Sequence, residues 1–280
     1  MKQANWLGEK MNSIETMQGP ACPVHCLVRD VPEDFANCLQ DTPAKIDLAT
    51  AKEQHRQYVN LLKTHVDQVT YVPSPPGHPD SVYIEDVAVI TGQHALVTRP
   101  GAPSRTSEIE GIEAALRGFC TVHLTEAPAT LDGGDVMQIG KHLLVGLSDR
   151  TNEAGYLRLA EVAKLDGLTA HRVPVEAGLH LKSAMTVIDH ETIIYDPSAL
   201  SPVTIPGLDI TWLAAPEPLG ANVLAFDKVT IVSADAPQTA KLLRERGYPV
   251  ETVQVTEFHK GDGALSCLSL RISGPNGWTV

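Results

Sequence analysis

Short apolar segments recur along this chain in pairs, each pair followed by helical periodicity and then a further apolar segment. "SVYIEDVAVI" (81–90) and "HALVT" (94–98) predict two paired strands. "SEIEGIEAALRG" then predicts a helix, with Ser107 and Glu110 at capping-box spacing and Gly118 at its end, and "CTVHL" (120–124) a closing strand. "DVMQIG", "HLLVG", the helical "TNEAGYLRLAEVAKLDG" and "HRVPV" repeat the order. "SAMTVI" and "TIIYD" begin a third unit, with little room for a helix before "ITWLA". "NVLAF" and "KVTIVS" begin a fourth, whose helix runs from Pro237 to Gly247 and leads to "PVETV".

First strands therefore begin near residues 82, 135, 183 and 222, and "CLSLRI" at 267 begins a fifth. The partners this last segment lacks stand at the other end of the chain: strand "VHCLV" (24–28), helix "DLATAKEQHRQYVNLLKTH" (47–65) and strand "VTYVP" (69–73). The first part of the chain would thus complete the last repeat and close a ring. Recurrence at about 40–50 residues points to a repeat architecture or propeller. An open doubly wound sheet is the rival, and the paired strands before each helix suit it poorly.

At 280 residues the chain is long enough for a sizeable core. With 43% hydrophobic and 20% charged residues it has the composition of a globular protein. A net charge of −12 disfavours nucleic acid and anionic membranes as partners and favours a cationic ligand. No apolar run is long enough to span a membrane, and the N-terminus lacks a signal-like apolar stretch, so a cytoplasmic location is expected. Residues 1–20 read as a tail and 21–280 as one catalytic domain. Five cysteines argue against a disulfide framework. "CPVHC" (22–26) has no second ligand pair at metal-site spacing, and reads better as a strand entering the core.

Polar residues recur just before or within the first strands: Glu85 and Asp86, Asp132 and Asp135, His180, Asn222, and Cys267. In a ring these positions converge on the axis. Taken singly, each has a plain structural alternative. Cys267 could be a small core residue, His180 a structural histidine, Glu85–Asp86 a solvated turn, and Asp132 and Asp135 the flanks of a glycine turn. Asn222 could simply support the axis. Their recurrence at equivalent places favours a nucleophilic cysteine with an acid–base partner.

"PDSVYIEDVAVI", "TRPGAPSR", "TLDGGDV", "GLSDRTN", "GLHLKS" and "DGALSC" resemble, in order, the motifs of dimethylarginine dimethylaminohydrolases in the guanidino-modifying (pentein) superfamily. The resemblance spans residues 79–267 and implies a five-bladed α/β propeller of ββαβ units. It also implies hydrolysis of Nω-methylated arginine to citrulline and methylamine or dimethylamine, with no cofactor and no metal. By motif match, Cys267 is the nucleophile, His180 the general acid/base and Asp132 its acidic partner. Asp80, Glu85 and Asp86 would surround the guanidinium, and Arg105 and Arg150 would hold the substrate carboxylate. Gly261 and Leu39 would also touch the substrate, Leu39 from a lid within 33–45, and Ser183 through its backbone. A homodimer is a further expectation. Two rival activities are an arginine deiminase or other guanidino-compound hydrolase, and a noncatalytic propeller that binds a ligand.

Overall fold

The computed structural model describes residues 24–175 and 177–273; the expectations for residues 1–20 and for Cys22 lie outside them. The first unit comprises strand β1 (Val24–Val28), helix α1 (Leu48–His65) and strand β2 (Gln68–Tyr71). Asp47 caps α1 by accepting the Thr50 N–H at 2.8 Å. Ala51, His55, Tyr58, Val59 and Leu62 recur at helical spacing on its buried face.

The second unit holds β3 (Ala88–Ile90), β4 (His94–Val97), α2 (Ile112–Leu116) and β5 (Thr121–Leu124). The third holds β6 (Val136–Ile139), β7 (His142–Leu147), α3 (Glu153–Leu165) and β8 (Thr169–Pro174). After the single turn α4 (Leu181–Ala184) come β9 (Met185–Val187), β10 (Thr192–Tyr195) and β11 (Thr211–Ala214). The crossover between β10 and β11 carries no α-helix. It is anchored instead by buried Leu200 and Ile205. The last elements are β12 (Leu224–Phe226), β13 (Val229–Ser233), α5 (Pro237–Glu245), β14 (Val250–Val253), the turn α6 (Thr256–His259) and β15 (Leu270–Ser273).

These strands form five three-stranded sheets, each with one antiparallel and one parallel pair. A parallel neighbour requires a crossover, which explains why the helix or long loop always precedes the third strand. The fifth sheet joins the two ends of the chain. β1 lies between β15, antiparallel with Leu27 opposite Leu270, and β2, parallel with Leu27 opposite Thr70. The ring expected from the repeat pattern is therefore closed, as a five-bladed α/β propeller. Its core is divided among neighbouring blades: Val89 and Leu96 of the second unit pack with Leu131, Val136 and Tyr156 of the third. No helix among the described residues is long and apolar enough to cross a membrane.

Two local expectations are corrected. The segment from Ser107 does not begin an α-helix. Pro103–Ile109 is a 3-10 helix, and Gly111, at φ 79°, turns the chain before α2 starts. Left-handed backbone at that position suits glycine and breaks the helical run.

The predicted first strands also start late. Each is preceded by a single helical turn: Ile84–Val87, Gly133–Asp135, Leu181–Ala184, Pro218–Ala221 and Ser266–Leu268. Successive turns pack against each other, and Asn222 Nδ2 donates to Ser266 Oγ at 2.9 Å to link the last two. The turns form a small ring about the axis. Approach is close there: a Cβ on Gly133 would lie 2.0 Å from the Glu85 carbonyl oxygen.

Candidate active site

The ring of turns delivers the chemistry. Residues preceding or within three of them, together with Arg105, Arg150 and residues 39–41, line a pocket of about 130 Å3 that includes Asp80, Asp86, His180 and Cys267. Leu39 and Gly261 also line it, as do Tyr83, Leu179, Asp262 and Gly263, which the sequence reading did not single out. Tyr83 lies within the motif "PDSVYIED", so the motif contained that signal. Its ring leaves no space beside Gly263, where a Cβ would come within 2.1 Å of the Tyr83 Cε1.

His180 precedes α4 in extended backbone, and its ring is buried at 3% exposure. Its Nε2 is 3.0 Å from Asp132 Oδ2 and 4.0 Å from Asp86 Oδ1. Burial alone would lower its pKa. Asp86, the hydrogen bond to Asp132 and the charge of Asp135 outweigh that and push it up to about 9. The ring is therefore an imidazolium near neutral pH, with Nε2–H directed at Asp132 and Nδ1 as its second nitrogen.

Asp132 itself is fully buried, accepts the Gly101 N–H at 2.8 Å, and acts behind His180 rather than in the pocket lining. Asp135 is a scaffold: its carboxylate accepts from Ser148 Oγ, Thr151 Oγ1 and the Leu181 N–H. Through that last bond it fixes the start of α4, and so the backbone that carries His180.

Cys267 lies on the last axial turn, half-buried at the pocket. Burial, then the charges of Glu85 and Asp86, push its thiol up to about 12, against smaller opposing effects of the Ala264 backbone and Lys182. In this environment it is a protonated thiol near neutral pH.

Glu85 and Asp86, adjacent in one 3-10 turn, part company. Asp86 faces the pocket, where Oδ2 accepts from Arg105 Nη1 at 2.8 Å and Oδ1 from the Gly134 N–H at 2.9 Å. Its burial is outweighed by His180 and Arg105, which hold its carboxyl down at about 2. Glu85 is not brought into the pocket lining. Its carboxylate accepts from Lys182 Nζ at 2.6 Å, Arg271 Nη2 at 2.9 Å and Ser266 Oγ at 2.8 Å, which ties three turns of the axis together.

The two arginines also differ. Arg105 is buried, and each of its three nitrogens already donates to a protein acceptor: Asp86, Glu108 or the Tyr83 carbonyl. Arg150 is half-buried, and its guanidinium has no protein acceptor among the described residues. Arg150 thus has its whole guanidinium open to an anion, whereas Arg105, also in the pocket lining, is mostly engaged by protein acceptors. Ser183 is exposed, with its N–H donated to the His180 carbonyl, and it is not part of the pocket lining. Asn222 bonds to Ser266 and to the Lys182 carbonyl and supports the axis.

The segment expected to form a lid begins in a short 3-10 turn at Phe35–Asn37, with Phe35 and Cys38 buried. Two acidic side chains of the pocket hold its backbone. Asp80 Oδ1 accepts the Leu39 N–H at 3.0 Å, and Asp262 Oδ2 accepts the Asp41 N–H at 2.6 Å.

Among the described residues, one group of metal-type side chains clusters closely: Asp86, Asp132 and His180, with donor atoms within 4.8 Å of one another. All four of its carboxylate oxygens face protein partners, and a guanidinium sits on Asp86. The donor set is organised for proton chemistry rather than for holding a cation.

Residues 109–217 match the family model for arginine deiminase. A dimethylarginine dimethylaminohydrolase of Streptomyces coelicolor is 39% identical over 231 residues, covering 81% of this chain and 88% of that protein. Its Pseudomonas aeruginosa counterpart is 34% identical over 229 residues, covering 81% and 90%. The solved structure of a cysteine-to-serine variant of the Pseudomonas aeruginosa enzyme, complexed with citrulline, superposes with a TM-score of 0.84 at 32% identity. It covers 90% of this chain and all of that one. The N-terminal domain of ArgZ, an arginine dihydrolase, shares the fold at a TM-score of 0.78 and 18% identity. The identity to the Streptomyces protein, sustained over 81% of the sequence, places this chain in the dimethylarginine dimethylaminohydrolase family of the pentein superfamily.

Proposed function

We propose that this protein hydrolyses Nω-methylated L-arginine to L-citrulline and dimethylamine or methylamine through a covalent intermediate on Cys267. One observation carries the reading: Cys267, His180 and Asp86 line a single pocket that also holds the free Arg150 guanidinium. This pairs a nucleophile and an acid with charges matching both ends of an arginine. Relatives that bear the dimethylarginine dimethylaminohydrolase name support it, as does an adduct of one such enzyme with S-methyl-L-thiocitrulline.

The steps follow from the electrostatics. A guanidinium entering beside Asp86 and Asp80 brings positive charge to Cys267 and favours the thiolate. Sγ attacks the guanidinium carbon, and the C–N bond to the methylated nitrogen breaks. The thiol proton passes to solvent, and His180 gives its own proton to that nitrogen, so that a neutral amine, a cationic thiouronium and a neutral imidazole result. Water then attacks the same carbon while His180 removes its proton. The C–S bond breaks, Cys267 is regenerated, and the ureido group of citrulline remains. The lid backbone, latched to Asp80 and Asp262, excludes bulk water during both steps.

Discrimination rests on the methyl groups, because all candidate substrates share both charged ends. Asymmetric dimethylarginine and monomethylarginine are expected to exceed arginine in kcat/KM, with the symmetric dimethyl isomer poor. Citrulline release from the four compounds tests this directly. The arginine deiminase match favours a second reading, in which arginine is the best substrate and ammonia the product. Arginine turned over at least as fast as both favoured compounds would establish that alternative.

A further inference from the structure

The 3-10 helix Pro103–Ile109 holds a buried carboxylate with no place in the steps above. Glu108 is 1% exposed, and Arg105 lies three residues before it. Side chains at that spacing eclipse on a 3-10 helix, so the backbone itself presents the pair to each other. Glu108 takes Arg105 Nε on both oxygens, at 3.0 and 3.2 Å, and Nη2 on Oε2 at 2.8 Å. The Tyr83 carbonyl receives Nη2 as well, at 3.2 Å. The guanidinium is thus held along one edge, with Nη1 left to meet Asp86 at 2.8 Å.

We propose that Glu108 is a positioning residue for the reaction: by clamping Arg105 it sets the place of the Asp86 carboxylate between His180 and the substrate guanidinium. The proposal rests on the methylarginine hydrolase reading for its substrate, but its geometry stands apart from that reading.

Two further features support it. The same segment also reaches the other carboxylate at His180, since the Gly101 N–H donates to Asp132 Oδ1 at 2.8 Å. Residues 101–108 therefore hold Asp86 and Asp132 together. In addition, a second buried guanidinium stands behind Glu108. Arg29 is fully buried and donates from Nη2 to the Glu110 carbonyl at 3.0 Å, while Nε and Nη1 have no partner among the described residues. Burial lowers its pKa to about 10, with Glu108 opposing that and Arg105 adding to it. Buried charges then alternate inward as Arg29, Glu108, Arg105, Asp86, His180 and Asp132. Unpaired burial of any one would be costly, which favours a single arrangement of the whole chain.

The test compares Glu108→Gln and Glu108→Asp with wild type for citrulline release, together with an NMR titration of the His180 ring. The glutamine keeps the shape but removes the charge and turns an amide N–H₂ toward Arg105. It is expected to lower kcat roughly tenfold to hundredfold, the scale of a misplaced reactive group, with KM changed less than about threefold because Arg150 is untouched. The groups facing His180 are Asp86, Asp132 and Asp135, with Arg105 behind Asp86. Loss of the Glu108 charge leaves Arg105 less compensated, so the His180 titration should move to lower pH. The aspartate, which keeps the charge, should retain more kcat than the glutamine even if the glutamine folds poorly.

A Glu108→Gln protein with wild-type kcat and an unmoved His180 titration would overturn the proposal, as would an aspartate variant no better than the glutamine. If wild type released no citrulline from any methylarginine, the functional reading would fail. The His180 titration would still decide the role of Glu108.

Discussion

His180 Nε2 and Asp132 Oδ2 stand 3.0 Å apart with both side chains buried, one at the start of α4 and the other before the Gly133–Asp135 turn. The bond crosses 48 residues of sequence and joins two neighbouring turns of the axial ring. It orients the ring and helps keep it protonated, as the proposed acid role requires.

The first prediction is a pH limb. His180 sits at about 9 in the folded chain, so kcat should fall as pH rises through that value and the acid is lost. Asp132→Asn should move the limb to lower pH and reduce kcat, on the ~10²–10⁴ scale of acid–base contributions. Stability follows the same linkage. The folded pKa lies above the unfolded value near about 6.5, so the contribution is full below that pH and lost as pH rises toward 9. The loss in melting temperature between pH 6 and pH 10 should be smaller in His180→Gln than in wild type. An identical loss in both proteins would refute the linkage.

A second prediction concerns the thiol. With Cys267 held up at about 12, alkylation by iodoacetamide should be slow at neutral pH in the free enzyme. A guanidinium ligand that leaves Sγ accessible should accelerate it. Cys267→Ser should fold and lose turnover, since a hydroxyl is a far weaker nucleophile; activity above a tenth of wild type would remove the cysteine from this role.

The arginines should separate kinetically. Arg150→Ala removes the free cation and should raise KM about tenfold to hundredfold, the ~1.5–3 kcal/mol of one charge-assisted contact. A methylguanidine without the α-carboxylate should be indifferent to that change. Arg105→Ala should instead impair both compounds, because it frees Asp86. If both variants spared methylguanidine equally, Arg105 would be assigned to the substrate carboxylate as well.

Glu85 should be a stability residue. Glu85→Gln leaves Lys182 and Arg271 facing each other in the axis without their shared counter-charge. Breaking a buried ion pair in this way costs about 3–5 kcal/mol, which urea denaturation would read as a lower midpoint. An unchanged midpoint would return Glu85 to the set of substrate contacts.

Gly263→Ala tests the pocket wall. The added methyl would come within 2.1 Å of the Tyr83 ring, which packs edge-on against Phe35. The expected result is displacement of Tyr83 and a loss of kcat/KM for all methylated substrates, measured beside a thermal melt. Wild-type kinetics would show that the wall yields.

Much of the architecture was legible in local pattern. Paired apolar segments before each helix, and the orphan strand at "CLSLRI", implied five units and a closure between the two ends, because alternation and helical spacing are properties of neighbours in sequence. The shared position of Cys267, His180 and the acidic residues at the start of successive units had the same origin. What lay beyond reach was the choice of partner. Glu85 and Asp86 are adjacent in the chain, yet one turns to Lys182 and Arg271 and the other to Arg105 and His180. Arg105 lines the pocket, yet its N–H groups also turn to Glu108, Asp86 and the Tyr83 carbonyl, partners that no motif named. In each case the deciding group comes from another turn of the ring or from a segment packed behind it. Buried charges must be satisfied by whatever group the fold brings near, and only closure of the ring sets which group that is.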